Sequence, residues 1–261
     1  MITSVTLNPA VDEAIAVEEI ALGEINRCDL DAVDPGGKGL NASRVIARLG
    51  RRTRAFGFVA GVTGELIRAR LDAEGVPHAF DDVPGLTRIN VMVLERRHAR
   101  RTRLYLPGPH VGAADVARLR TRLETCASGE TVIIGGSVPP GLDAGVYGDL
   151  VRWLRGRGVR TVVDASGAAL ESALAAQPDL IKPNVEEAVA LLGRPLASDD
   201  EVCDAARSLR ALGAARVVIS QGAHGAIGVD EAGAWKVRAP AVLVRTTVGA
   251  GDSMVAGLAI A

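Results

Sequence analysis

The sequence predicts an α/β fold, a mainly parallel sheet flanked by helices on both faces with a small β-lid beside it. Three observations carry this. Short β-rich runs alternate with helical runs along most of the 261 residues, the order that builds parallel sheets. The composition is 48% hydrophobic but only 3% aromatic, which suits an Ala/Val/Leu/Gly core between a sheet and its helices. Two segments, approximately residues 12–33 and 87–105, break the alternation and read as β-like or irregular. They could be ordinary edge strands, or together a small sheet covering a site.

Ile2–Leu7 is the first strand of the alternation. Leu40–Leu49 carries apolar Val45, Ile46 and Leu49 at helical spacing. Thr53–Val59 is a strand and Gly64–Glu74 a helix. Ala114–Thr125 is helical and leads to the strand Thr131–Ile134. Tyr147–Arg155 is helical and leads to the strand Val159–Asp164. Val185–Leu192 and Glu201–Leu212 are helical, and Arg216–Ser220 is a strand. The apolar run Ala241–Val244 enters a glycine-rich turn, and an almost purely small and apolar helix follows to Ala261. A helix apolar on every face must be covered on every side. The expectation is one α/β domain over residues 1–261 whose C-terminal covering elements lie beyond Ala261. No internal repeat or low-complexity segment interrupts the pattern.

Charge and cysteine content exclude several function classes. Acids and bases nearly cancel at a net charge of −1, and no long basic block exists. This argues against nucleic acid and anionic membrane as partners. The short basic cluster Arg96–Arg101 falls between two strand-like runs and reads as a solvated hairpin tip. Cys28, Cys126 and Cys203 are odd in number and far apart, without metal-ligand spacing, which fits a reduced, cytoplasmic protein. The N-terminus lacks the charged and apolar regions of a secretory signal, and no apolar run is long enough to span a bilayer.

Two glycine clusters carry the chemistry. In Gly249-Ala250-Gly251-Asp252 the turn leaves backbone N–H groups free at a helix start, where the helix dipole also favours an anion. A carboxylate beside such a hole is the arrangement that deprotonates a hydroxyl as it attacks a phosphoryl group. The same four residues also suit a tight turn whose Asp caps a helix. In Gly36-Gly37-Lys38-Gly39-Leu40-Asn41 the glycines admit a ligand to the backbone, Lys38 brings a mobile charge and Asn41 a directional amide. A plain loop-to-helix junction would look alike. It is not a Walker A loop, because Gly39 stands where Ser or Thr is required. Other chemically suggestive residues fall just past strand ends: Ser137, Asp164, Lys182, Asn184, Gln221 and Gly222. Ligands of open α/β sheets gather there.

Gly-Gly-Lys-Gly-x-Asn near the N-terminus, then Gly-Ala-Gly-Asp far downstream, resembles the paired signatures of the PfkB (ribokinase-like) carbohydrate kinases. Other stretches agree, in family order. Thr6-Leu7-Asn8-Pro9-Ala10-Val11-Asp12 stands at the front, then Gly64-Glu65, Thr87-Arg88-Ile89-Asn90-Val91 and Gly135-Gly136-Ser137-Val138-Pro139-Pro140-Gly141. Val163-Asp164-Ala165-Ser166-Gly167, Lys182-Pro183-Asn184-Val185-Glu186-Glu187 and Ser220-Gln221-Gly222-Ala223-His224-Gly225 follow. The resemblance covers the whole chain and is nearest the branch of 1-phosphofructokinase, tagatose-6-phosphate kinase and the minor 6-phosphofructokinase. It implies a ribokinase-like fold and the following roles. Asp252 is the base, with the Gly249, Ala250 and Gly251 amides as anion hole. Asp12, Gly37, Lys38 and Asn41 line the sugar site. Arg88, with Arg27, grips the phosphate already on the substrate, and Ser137 touches the sugar or that phosphate. Lys182, Asn184, Ser220, Gly222 and Thr247 lie toward the nucleotide, and Glu187 orders Mg²⁺ through water.

The chain departs from this branch at Gln221, where Leu is usual, and at Arg103 and Tyr105, which replace acidic and amide character in the lid. What the resemblance implies is an ATP- and Mg²⁺-dependent kinase of a ketohexose phosphate, foremost fructose 1-phosphate at C6. Tagatose 6-phosphate or fructose 6-phosphate is the alternative substrate. A non-catalytic sugar-phosphate or nucleotide-binding regulator is the alternative of another class. The exposed lid leads to an expected homodimer through the lids. A dinucleotide oxidoreductase is disfavoured, because Met254 occupies the third glycine position of its fingerprint.

Overall fold

The computed structural model describes residues 1–242 and 249–261. The N-terminal part runs β1 (Ile2–Thr6), β2 (Ala10–Val17), β3 (Asp29–Gly36), α1 (Lys38–Arg48), β4 (Thr53–Val59), α2 (Gly61–Ala73) and β5 (His78–Asp82). It continues with β6 (Arg88–Glu95), β7 (Arg100–Tyr105), α3 (Ala113–Leu123), β8 (Thr131–Gly135), α4 (Gly145–Arg155) and β9 (Arg160–Asp164). The remainder is α5 (Gly167–Ala175), β10 (Leu180–Ile181), α6 (Val185–Leu192), α7 (Asp199–Ala211), β11 (Arg216–Ser220), β12 (Ala226–Val229), β13 (Ala234–Val237) and α8 (Ala250–Ile260).

The main sheet has the order β13-β12-β11-β10-β9-β8-β1-β4-β5. Its pairs are parallel from β5 through to β11, and β12 and β13 close one edge as an antiparallel hairpin. Successive residues of the central strands serve opposite faces. Val163, Ile134 and Ile219 pack with Leu119, Leu150, Leu170 and Leu209 on one side. Val162, Ile133 and Val218 pack with Ile46 and Val255 on the other. Burial on both faces is what βαβ crossovers impose, and it explains why these strands read as nearly continuous apolar runs.

Strand β1 lies between β8 and β4, and the strand order runs one way from β1 to β4 and β5 and the opposite way from β8 to β9, β10 and β11. This is the topological switch point at which such folds leave a crevice outside the strand ends. The two irregular segments form a separate sheet of order β3-β2-β6-β7 rather than an extension of the main one. Its strands differ from the expected spans, because residues 18–28 connect β2 to β3 without entering either. β2 and β6 are parallel, with Asp12 opposite Asn90 and Ala10 opposite Arg88. β6 and β7 form a hairpin whose turn holds Arg96–Ala99, so the basic cluster is a hairpin tip.

Helix α8 packs Val255 and Ala256 against Ala42, Val45 and Ile46 of α1, and leaves Gly251, Ser253 and Gly257 exposed. It is covered on one side rather than on all. No described helix is long and apolar enough to cross a membrane.

Candidate active site

Helix α8 begins at Gly249, whose φ of 78° is a left-handed turn that glycine adopts without strain. The first helical hydrogen bond runs from Ser253 N to Gly249 O, at 2.9 Å. The N–H groups of Ala250, Gly251 and Asp252 therefore precede the ladder and face outward as a set of donors. A side chain on Gly251 would stand 3.6 Å from the Lys182 ammonium, so the bare glycine lets a ligand reach both the amides and that charge.

Asp252 is half-buried in the first turn of α8. Asn41, one turn into α1, donates from Nδ2 to its Oδ2 at 2.8 Å. Burial raises the Asp252 carboxyl above its ordinary range and nearby Asp164 adds to this, while the Asn41 hydrogen bond and the two lysines oppose it. The result is a fixed carboxylate with more proton affinity than a surface Asp, as a general base requires.

Two cavities flank this turn. One, of about 710 Å³, is lined by Lys38, Asp164, Lys182, Asn184, Glu187 and Ser220, together with Gly251 and Asp252. Asp164, at the end of β9, is 2% exposed and Lys182 is 4% exposed. Lys38 Nζ lies 2.9 Å from Asp164 Oδ1 and 3.5 Å from Glu187 Oε1, and Lys182 Nζ lies 3.7 Å from Asp164 Oδ1. Burial opposes the charge of Lys38, but Asp164 and Glu187 outweigh it and hold the ammonium more firmly protonated than usual. Asn184 caps α6 reciprocally with Glu187, accepting from its N–H at 2.7 Å while its own N–H meets Glu187 Oε2 at 2.9 Å. A parallel bridge ties Asn184 to Ser220. Gly222, at φ 58°, begins the turn after β11 and lines the same cavity.

The other cavity, of about 590 Å³, opens between the lid and α1. Asp12, Asp34, Asn41, Arg44, Asn90, Arg103 and Tyr105 line it, and Gly249 and Ser253 close its inner end. Asn90 donates to Asp12 Oδ1 at 2.8 Å. Burial raises the Asp12 carboxyl, against the pull of Asn90 and Arg88. Gly36 presses so closely on this carboxylate that any side chain there would overlap it. A third, smaller recess is lined by Asn8, Arg88, Pro107, Ser137 and the Pro139-Pro140 turn. Arg88 donates to Leu106 O at 3.2 Å and Asn8 O at 3.1 Å, and burial lowers its proton affinity. Tyr147 supports the turn before Ser137 by donating to Gly136 O at 2.7 Å.

A family model described as pfkB family carbohydrate kinase matches residues 5–261. The chain belongs to this family. A 1-phosphofructokinase of Rhodobacter capsulatus is 39% identical, over 98% of this chain and 82% of that protein. A 1-phosphofructokinase of Bacillus subtilis is 35% identical, over 98% of this chain and 84% of that one. Among solved structures, phosphofructokinase-2 from Escherichia coli in complex with fructose-6-phosphate superposes with a TM-score of 0.93. It is 35% identical, with 99% of this chain and 86% of that chain covered. The ribokinase-like fold and the assignment as a carbohydrate kinase, transferring phosphoryl groups to an alcohol oxygen, follow from these matches.

Within this kinase fold, most of the sequence-predicted residues converge. Asp252, Gly249, Gly251, Asp12, Asn41, Lys182, Asn184, Ser220, Gly222 and Glu187 border the two cavities that flank the turn, Ala250 begins α8 between them, and Arg88 and Ser137 line the third recess. Gly37 caps α1 at φ 127°, beside Thr6, and shapes the entry to that helix without lining a cavity described above. Lys38 departs from its expected place. Its ammonium enters the Asp164–Glu187 pair rather than the cavity lined by Asp12 and Asn41, because a long flexible stem follows the nearest carboxylates. Arg27 is exposed in the loop between β2 and β3 and lines none of these spaces. Thr247 lies outside the described residues.

Two contributors escaped the sequence reading of roles: Asp164, the buried carboxylate shared by both lysines, and Asn8, which links three loops. Their position just past strand ends was the available signal. No group of three or more metal-ligating side chains occurs among the described residues. Asp164 and Glu187 nonetheless present hard carboxylate oxygens on one cavity wall, partly neutralised by Lys38. That donor set fits Mg²⁺, which keeps most of its waters and takes few protein ligands.

Proposed function

We propose that this protein transfers the γ-phosphoryl group of ATP to the C6 hydroxyl of fructose 1-phosphate. The observation that carries the proposal is Asp252, a half-buried carboxyl of raised proton affinity at a turn flanked by two cavities, in a helix whose N-cap is the bare Gly249. Asp252 takes the proton from the attacking hydroxyl. The oxygen bonds to the γ-phosphorus as the bond to the leaving ADP breaks, and the Gly249–Gly251 amides meet the charge of the transferring group. A positioned base is typically worth ~10²–10⁴ in rate and each oxyanion donor ~10²–10³. Lys182 sits against this hole as a fixed positive charge. Mg²⁺, when bound near Asp164 and Glu187, would neutralise charge on the nucleotide phosphates.

The sugar lies between lid and α1, with Asp12 accepting from its hydroxyls. Arg88 and Ser137 hold the phosphate it already carries, for which a guanidinium fork is well suited. Such a kinase works in the cytoplasm, where ATP is available. The lid supplies a second surface: Leu30, Leu104, Tyr105 and Leu106 are exposed on it or beside it. A homodimer through the lids covers them. Sedimentation at micromolar concentration tests this, and a strict monomer overturns it.

The deciding experiment is an ADP-release panel with ATP and Mg²⁺ against fructose 1-phosphate, fructose 6-phosphate, tagatose 6-phosphate and free fructose. Preference for fructose 1-phosphate is expected. Preference for either 6-phosphate moves the reading to that sugar. No turnover of any, with tight sugar-phosphate binding retained, turns it to a regulator.

A further inference from the structure

Asn8 lies just past the end of β1 and is 3% exposed. Its Nδ2 donates to Pro107 O at 3.0 Å and to Ser137 Oγ at 3.1 Å. A carbonyl accepts and cannot donate, so the Pro107 contact sets which end of the amide is nitrogen. Oδ1 then faces the other way, shut from solvent and without a hydrogen-bond partner among the described residues. Gly108, at φ 96°, lies so close to this oxygen that a Cβ there would overlap it. The backbone carbonyl of Asn8 accepts from Arg88 Nη2, and Arg88 Nε is likewise buried without a partner among the described residues. One residue thus joins the exit of β1, the end of the lid and the Ser137 turn.

The chemistry of Ser137 follows from this link. A hydroxyl has one hydrogen and two lone pairs. Because Asn8 donates to Ser137 Oγ, the Ser137 O–H must point elsewhere, and Ser137 is exposed into the recess that Arg88 lines. We propose that Asn8 is the positioning residue for phosphate recognition: its amide N–H orients Ser137 as a hydrogen-bond donor into the Arg88 recess while its backbone carbonyl anchors Arg88. Asn8 borders the same recess, but its amide nitrogen is already engaged by Pro107 and Ser137, so it acts through Ser137. The inference rests on the sugar-phosphate reading above and adds to it the residue that aligns its two phosphate-holding groups.

The test is a double-mutant cycle on the full chain, read by fructose 1-phosphate titration calorimetry and by steady-state kinetics. Asn8→Ala and Ser137→Ala should each weaken fructose 1-phosphate binding about tenfold and raise its KM in proportion, with a smaller change in the KM for ATP. The double variant should be no weaker than Ser137→Ala by more than about twofold, since Asn8 acts largely through Ser137. Asn8→Asp keeps the shape but replaces the donor with an acceptor. It should turn the Ser137 O–H away from the recess and weaken binding more than Asn8→Ala does. Additive losses in the cycle, or Asn8→Asp binding as tightly as wild type, overturn the proposal. Should Asn8→Ala not fold, the isosteric Asn8→Asp decides alone. A wild-type protein that neither binds nor turns over any sugar phosphate instead removes the underlying reading, a separate outcome.

Discussion

At the scale of single residues, Asp252 meets two opposing demands. As the proposed base it must be ionised near neutral pH, yet burial and Asp164 disfavour that charge. Asp252→Asn keeps the shape, can still accept from Asn41, and removes the base. We expect kcat to fall at least ~10²-fold with sugar-phosphate affinity nearly unchanged; a variant retaining a tenth of wild-type turnover would show that another group takes the proton. Wild-type turnover should fall as the pH drops through a midpoint above the ordinary carboxylate range. The stability linkage has the opposite sign. With its pKa raised by folding, Asp252 holds more proton in the folded than in the unfolded chain between the two values, so stability declines as pH rises through that window. The neutral amide of the Asp252→Asn variant escapes this penalty, and the inactive variant should melt at a higher temperature than wild type at neutral pH. Arg88→Ala should lose ~2–4 kcal/mol of sugar-phosphate binding, through loss of a charge-assisted contact. Affinity for unphosphorylated fructose should barely change, and equal losses on both sugars would make Arg88 structural.

Among the elements, those with a strong local signature were legible in advance. β1, β4, β8, β9 and β11 are dense in β-branched or aliphatic residues buried on both faces, and α1, α3, α4 and α7 carry a clear apolar stripe. The elements that escaped lack such signals. β10 is only Leu180–Ile181, held by neighbours on both sides. β12 contains Gly228, which must be bare because the Trp235 ring lies across it, and β5 mixes His and two Asp into an edge strand. Helix α5, in which six of nine residues are Ala or Leu, has only Glu171 and Ser172 as polar residues to set a period. Caps were more readable, and α6 shows what one does. The Asn184–Glu187 box both starts the helix and fixes Glu187 beside Lys38. Asn184→Ala should lower unfolding stability by ~1 kcal/mol in urea titration. It should also raise the KM for ATP while leaving that for the sugar phosphate unchanged; a pure stability loss with normal ATP kinetics would confine the residue to capping.

Across the whole molecule, the reversal of strand order at β1 goes with two cavities flanking one glycine turn. Residues read from a local motif, such as Asp252 or Ser137, could be located beside a cavity from the chain alone. Lys38 could not. Its motif sits at the start of α1, three residues before Asn41, yet its charge is set by Asp164, 126 residues away, and Glu187, 149 residues away. Only the assembled sheet brings those carboxylates within reach. Lys38→Met keeps the aliphatic stem and removes the ammonium, so it separates the two placements. A sugar-side lysine would raise the KM for fructose 1-phosphate. A lysine held between Asp164 and Glu187 faces the nucleotide cavity, and its loss leaves two carboxylates there less neutralised, repelling the phosphates of ATP. We therefore expect the KM for ATP to rise at least about tenfold, with the sugar-phosphate Kd within about twofold of wild type. Raising Mg²⁺ should recover part of the loss, because a divalent cation offsets the same excess negative charge. A rise confined to the sugar-phosphate KM would return Lys38 to the sugar side.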